Sequence, residues 1–301
     1  NIGTIPEESH VLVKVGDQVI GTIDEGFLER MKRGDVFVLG GERYEFLYAK
    51  GMVAYVNASV MRPPTIPSWF SEMLPLSFDL ALEIGRFRKL MNEMFCANKS
   101  KNEILEFINS FIYVDKNAAE SVYDYFYEQF NYAEIPSHSR AIVENYSDDK
   151  SKRKYYIFHT LYGRRVNDCL SRAVAFAIAR TQHRDVEIGI NDNGFYVGSD
   201  KSVNVLQALA LVKSKELRKV MDMAIEHTEI LRRRFRHCAA RAMMILRSYK
   251  GHEKRVGRQQ VSSMILLSAV KRINPDFCIL KEARREVLED LMDIENTIKV
   301  I

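Results

Sequence analysis

One proline-rich segment, Arg62-Pro63-Pro64-Thr65-Ile66-Pro67, divides the chain into two parts that obey different periodicities. Prolines donate no backbone hydrogen bond and bias their predecessors toward extended chain, so neither a strand ladder nor a helix passes through it. Before it, short β-type runs alternate with turn signals. Val11–Val15 and Gln18–Ile23 flank Gly16-Asp17, and Asp24–Lys32 places Phe27, Leu28 and Met31 on one helical face. Val36–Leu39, Tyr44–Tyr48 and Met52–Val56 follow, separated by Gly40-Gly41 and Gly51. Five short strands with one small helix predict a compact β-barrel-like module over residues 1–62.

After the prolines, taken as a linker over 63–76, the period becomes helical. Leu80, Ile84, Phe87, Leu90, Met91 and Met94 recur at three- and four-residue spacing. Ile104, Leu105, Ile108 and Phe111 continue the pattern, then Val122, Tyr125, Phe126 and Phe130. Ser147–Lys154 is polar and reads as a loop. Lys154–Thr160, Gly163–Arg180, Asp185–Ile190 and Gly194–Val197 predict a β-α-β-β unit near 154–198, its hairpin turning at Asn191-Asp192-Asn193. From Ser202 to Ile301 the chain reads as helical, with breaks near Gly251, Gly257 and Asn274-Pro275. The expected class is therefore α+β, with a mainly helical body over 77–301 containing a small mixed sheet.

At 301 residues, 47% hydrophobic and 28% charged, the chain reads as globular, not disordered. No apolar run is long enough to span a bilayer. Cys96, Cys169, Cys238 and Cys278 are scattered, without CxxC or Cys/His clustering, so neither zinc nor a disulfide framework is indicated. The expected setting is reduced and cytoplasmic. The chain opens on Asn1 without a Met, as a piece of a longer protein would. It contains no GxxxxGK[ST] loop and no DExx, HExxH, GxSxG or GxGxxG motif, so ATP hydrolysis or other independent catalysis is not expected.

Charge distribution says more than the net +4. Between Glu229 and Gln260 stand ten basic residues: Arg232, Arg233, Arg234, Arg236, Arg241, Arg247, Lys250, Lys254, Arg255 and Arg258. Only Glu229 and Glu253 accompany them. Such a block suits phosphate neutralisation. The alternative is a solvated helix face whose arginines pair with Glu282, Glu286 and Glu289, and Arg236 and Arg241 sit among small and apolar neighbours, as structural arginines do. Gly163-Arg164-Arg165 opens a helix, where cations oppose the dipole unless an anion is present. A phosphate on the free N–H groups would relieve that, with Lys152, Arg153 and Lys154 nearby; pairing with local carboxylates would too. Trp69, the sole tryptophan, follows the prolines, placed either for base stacking or for packing between domains. His159 ends a strand beside the arginine pair, and the methionines of the last third read as core fillers.

Several segments, in order, resemble the region C-terminal to the motor of Lhr-type (large helicase-related) superfamily 2 helicases, including its DEAD/H-associated domain. They are Asn1–Pro6, Ile20–Asp24, Gly34–Gly41, Leu74–Ser77, His159–Asn167, Arg234–Ala242 and Phe277–Glu286. The resemblance implies a parent whose missing N-terminal part holds two RecA-like lobes, with their ATP and Mg, and a winged helix. It implies 3′-to-5′ translocation on single-stranded DNA, unwinding of duplexes or RNA:DNA hybrids, and a role in DNA repair. It also implies strand contact by an aliphatic residue at the entrance of the β module, Ile2 or Ile5, and base stacking by Trp69. This fragment itself would carry no cofactor. Two further readings stay open: a protein-interaction module docking on the motor lobes or a repair partner, and a nucleobase-acting or nuclease-like enzyme.

Overall fold

The computed structural model describes residues 10–28, 31–50, 53–58, 61–64, 74–148, 152–245, 248–249, 252–253 and 256–301. The chain is α+β and divides into two compact units, one of Asn1–Met73 with His227–Glu286, the other of Leu74–Glu226 with Val287–Ile301.

The first unit holds β1 (His10–Val15), β2 (Gln18–Asp24), α1 (Glu25–Leu28), β3 (Val36–Leu39), β4 (Glu42–Ala49) and β5 (Val53–Asn57). They form one curled sheet in the order β2-β1-β5-β4-β3, with β1 and β5 parallel and the other pairs antiparallel. Gly16, at φ 57°, makes the β1–β2 turn that an L side chain resists. Alternation places Val11, Val13, Phe37, Phe46, Ala54 and Val56 on the concave side around Met31. The same unit holds α8 (Glu229–Arg241), the ribbon of β10 (Ser248–Tyr249) and β11 (His252–Glu253), α9 (Val256–Ile273) and α10 (Cys278–Arg285). The break expected near Gly257 falls at the start of α9, whose second residue is Gly257.

The second unit opens with α2 (Phe78–Cys96), α3 (Lys101–Ile112) and α4 (Lys116–Tyr132). Each starts where a side chain takes an orphan N–H: Ser77, Ser100 in a capping box with Glu103, and Asp115. Met91, Phe95, Ile104, Ile108 and Phe126 form their common core. The strands β6 (Ile142–Asp148), β7 (Arg153–His159), β8 (Glu187–Asn191) and β9 (Gly194–Ser199) make an antiparallel sheet in the order β6-β7-β9-β8. α5 (Arg164–Gln182) lies between β7 and β8 in sequence. The helices α6 (Val205–Leu211), α7 (Leu217–Ile225) and α11 (Ile294–Val300) complete the unit, the last following a π-helical turn over Glu286–Leu291. The predicted β-α-β-β unit is thus β-β-α-β-β. Part of the stretch expected as loop from Ser147 belongs to β6 and β7. Tyr156, Phe158, Phe195 and Val197 are buried on one face, where Phe158 and Phe195 stack at 4.4 Å. Such a pair contributes roughly 1 kcal/mol beyond its area.

Candidate nucleic-acid interface

The arginine pair at the start of α5 sits on a polar knot. Asp192, in the β8–β9 turn, accepts the N–H groups of Leu76 and Arg164 on a single carboxylate oxygen, each at 3.0 Å. Its own carbonyl accepts the Gly163 N–H at 3.1 Å. Asn167, fully buried, donates its amide to the carbonyls of Asn191 (3.0 Å) and Asp192 (3.1 Å). Its amide oxygen takes the Thr160 hydroxyl at 2.9 Å. Gly163 makes this approach possible, because a Cβ there would stand 2.7 Å from the Leu76 carbonyl oxygen.

The knot supplies the anion that the helix start requires. The Asp192 carboxylate sits at the positive end of α5 and offsets the two arginines, a dipole effect of about 0.3–1 kcal/mol. The Arg164 N–H is therefore not open to a phosphate; it is already bonded to Asp192. The two arginines also part company. Arg165 donates through Nη2 to the carbonyls of Glu289 and of Met292 (3.2 Å), closing the end of the π-helical turn. A cation over terminal carbonyls is favourable, so Arg165 serves the fold. Arg164 points its exposed side chain outward.

Beneath them α5 is a core helix. Asp168 bonds Arg172 at 2.6 Å, and its burial raises the carboxyl above the ordinary Asp range against the pull of that guanidinium. Burial pushes the Cys169 thiol up to about 12, so it packs as a neutral group.

Replacing Asn167 with alanine removes the amide from the Thr160 hydroxyl and the Asn191 carbonyl, and leaves the Asp192 carbonyl with the Gly163 N–H alone. The expected loss is about 2–4 kcal/mol of unfolding free energy, read by urea denaturation. A change below about 0.5 kcal/mol would mean that water replaces the amide at no cost.

The basic block begins in α8, in the first unit. Thr228 caps the helix by accepting the Leu231 N–H. Leu231, Phe235, Cys238 and Ala239 face inward at helical spacing. Arg234 reaches Glu286 at 3.2 Å, and Arg241 bonds the other carboxylate oxygen of the same residue. Glu286 is nearly enclosed, with 5% of its side chain exposed. Arg232 pairs with Glu229 one turn back. Arg233 is exposed, and Arg236 is half-buried. Of the carboxylates named as alternative partners, Glu286 takes two arginines of the block. Glu282 instead pairs with Arg285 and Glu289 with Arg218.

Ile2, Ile5, Trp69, Arg247, Lys250, Lys254 and Arg255 lie outside the described residues, and Arg258 is described only as backbone within α9. The sequence reading missed Asp192 and Asn167. The run Asn191-Asp192-Asn193 signalled a turn but not that the turn would grip a helix start 28 residues away. Among the described residues no group of His, Cys, Asp and Glu is arranged to hold a metal, and no helix is long and apolar enough to cross a membrane.

Two family models match separate stretches of the chain. Residues 135–301 match the family model described as DEAD/H associated, and residues 1–66 match one described as the winged helix domain of large helicase-related protein. The second match corrects the expectation that the winged helix lies wholly in a missing N-terminal part. In this chain the matched stretch is the curled sheet with α1. A relative in Methanothermobacter thermautotrophicus, ATP-dependent helicase Lhr-Core, is 54% identical across 100% of the chain and 35% of its own length. One in Escherichia coli, Lhr helicase/uracil glycosylase, is 24% identical over 97% of the chain and 19% of its own length. The solved structure of Mycobacterium smegmatis helicase Lhr, bound to ssDNA and AMP-PNP, superposes with a TM-score of 0.64 at 23% identity. It covers 80% of this chain and 30% of its own. The chain spans about a third of the length of the Lhr-Core relatives it matches.

Proposed function

Because the chain belongs to the DEAD/H-associated family of Lhr-type helicases, we propose that it is the non-motor C-terminal region of a cytoplasmic, ATP-dependent 3′-to-5′ DNA helicase acting in DNA repair. Its job there is to hold the tracking single strand, of DNA or of an RNA:DNA hybrid, while the RecA-like lobes move it. ATP and Mg belong to those lobes, and this region has no catalytic step of its own. The observation that carries the reading is the match in fold to an Lhr helicase whose solved structure includes ssDNA.

The division of labour among the arginines supports it. Arg165 and Arg234 are engaged by the fold, whereas Arg164 on α5 and Arg233 on α8 are exposed and Arg232 is half-exposed beside Glu229. Together with Arg247, Lys250, Lys254, Arg255 and Arg258, these last three contact phosphates. Trp69 stacks on a base, and Ile2 or Ile5 touches the strand at the entrance of the β module. Residues 1–62 act as a β-barrel-like module, 63–76 as the linker presenting Trp69, and 77–301 as the supporting body.

Titration of labelled single-stranded DNA with the 301-residue chain at two salt concentrations tests this. Affinity is expected to fall as salt rises, with a log–log slope of about −0.7 per phosphate contacted. Trp69→Ala is expected to weaken binding roughly tenfold, since stacking contributes about 1–3 kcal/mol per base. No binding at low salt overturns the strand-holding reading, and an unchanged mutant removes Trp69 from it.

A further inference from the structure

A pocket lined by α5, α7 and the start of β8 lies wholly within the second unit. Ala175 and Ala179 of α5 and Ala224 of α7 line it, and their short side chains leave the space. Ile188 of β8 and the half-buried Phe176 add apolar surface. The cavity measures about 240 Å³. That is below the roughly 300–1,000 Å³ of pockets that enclose a whole small molecule, and it suits a single planar ring.

The mouth of the pocket is charged. Arg172 and Arg184 line it, with Asp185 as the one carboxylate. Asp168, one turn before Arg172, accepts its Nε–H at 2.6 Å, which fixes the guanidinium. The Nη groups of Arg172 have no partner among the described residues, and exposed Arg184 pairs with no carboxylate among them. Two such forks suit the oxygens of a phosphate. Arg180, one turn beyond Phe176, holds its guanidinium over that ring at 5.5 Å. Three guanidiniums, those of Arg172, Arg180 and Arg184, thus stand against two carboxylates, those of Asp168 and Asp185.

α5 also joins this pocket to an arginine already assigned to the strand. Arg164, Asp168, Arg172, Ala175 and Ala179 succeed one another at three- and four-residue spacing, and none of them is buried, so they share the outer side of the helix. The helical rise places Ala175 about 16 Å along the axis from Arg164. A strand lying on Arg164 and running along α5 therefore reaches the pocket.

We propose, on the basis of the strand-holding reading, that this pocket takes one unstacked base of the single strand. Arg172 and Arg184 hold the phosphate beside that base, and Phe176 lies against its ring. The strand is then gripped by a base here as well as by its backbone.

An oligothymidylate carrying 4-thiothymidine, photo-crosslinked to the 301-residue chain and titrated by anisotropy, provides the test. The expected crosslink falls within residues 172–188. Ala179→Leu, which fills the slot, is expected to remove that crosslink and to weaken binding about tenfold. A wholly abasic strand of the same length is expected to bind parent and Ala179→Leu alike. Arg184→Ala, a change at an exposed position, is expected to lower the log–log salt slope by about 0.7. Equal affinity of Ala179→Leu and parent for the thymidine strand, an unchanged slope for Arg184→Ala, or a crosslink only outside 172–188 overturns the pocket and leaves the strand-holding reading in place. No binding by the parent at low salt overturns both. If a leucine–aspartate peptide slows amide exchange within 172–188 and the oligothymidylate does not, the pocket serves a protein partner and the proposal fails.

Discussion

Glu286→Ala is expected to remove about 3 kcal/mol of unfolding free energy, because it deletes the one carboxylate that two arginines share. Removing one partner of a buried ion pair typically costs about 3–5 kcal/mol, since the remaining charge is left uncompensated. The lower end applies here because Arg234 and Arg241 keep 28% and 32% of their side chains exposed and regain water when released. Glu286→Gln, which retains an acceptor but no charge, is expected to cost about half as much. Urea denaturation of the three proteins reads both values. A loss below about 1 kcal/mol for the alanine variant would mean that both guanidinium groups are already solvated. The same pairing carries a prediction for binding: Arg234→Ala changes the salt slope for single-stranded DNA less than Arg164→Ala does, because the Arg234 guanidinium is held by Glu286.

Gly163→Ala is the other large effect. Gly163 precedes α5 at φ 83° and ψ 156°, a region of backbone space that is essentially reserved for glycine. Its missing Cβ also makes room for the Leu76 carbonyl oxygen, 2.7 Å from where that atom would be. Backbone strain of about 1–3 kcal/mol and displacement of a hydrogen-bonded backbone add, for an expected loss of about 3–4 kcal/mol. The double variant with Asn167→Ala is expected to lose less than the sum, because both act on one knot. Strict additivity in thermal and urea unfolding would show that the glycine and the asparagine hold separate features.

The β half of the chain was legible because its signals are local. Val36–Leu39 is a strand with those bounds, and the Gly16 turn lies within a few residues of its cause, as does the helix stop at Asn274-Pro275 farther on. β6 was not legible. Glu144, Asn145, Ser147 and Asp148 are polar on both faces of an edge strand, so no alternation survives to mark it. The candidate site divides in the same way. Charge density pointed to α8 and to Gly163-Arg164-Arg165, but it could not say which arginines the fold would use. That is decided by partners far along the chain: Glu286 lies 52 residues from Arg234, and Glu289 lies 124 from Arg165. Asp192 was invisible as an anion because nothing in a turn signal announces which helix the turn will meet.

The bonds that Asp192 makes have a mechanical side. One carboxylate oxygen holds both the Leu76 N–H and the Arg164 N–H, so the chain arriving at Leu76 is fastened to the sheet before α2 begins. Tension applied to the stretch ahead of Leu76, where Trp69 lies, is thus borne first by the β8–β9 turn. It reaches the first turn of α2 only after that fastening gives way. A pull on that stretch, such as the strand contact proposed for Trp69 would exert, loads a turn of the sheet before it loads the end of a helix.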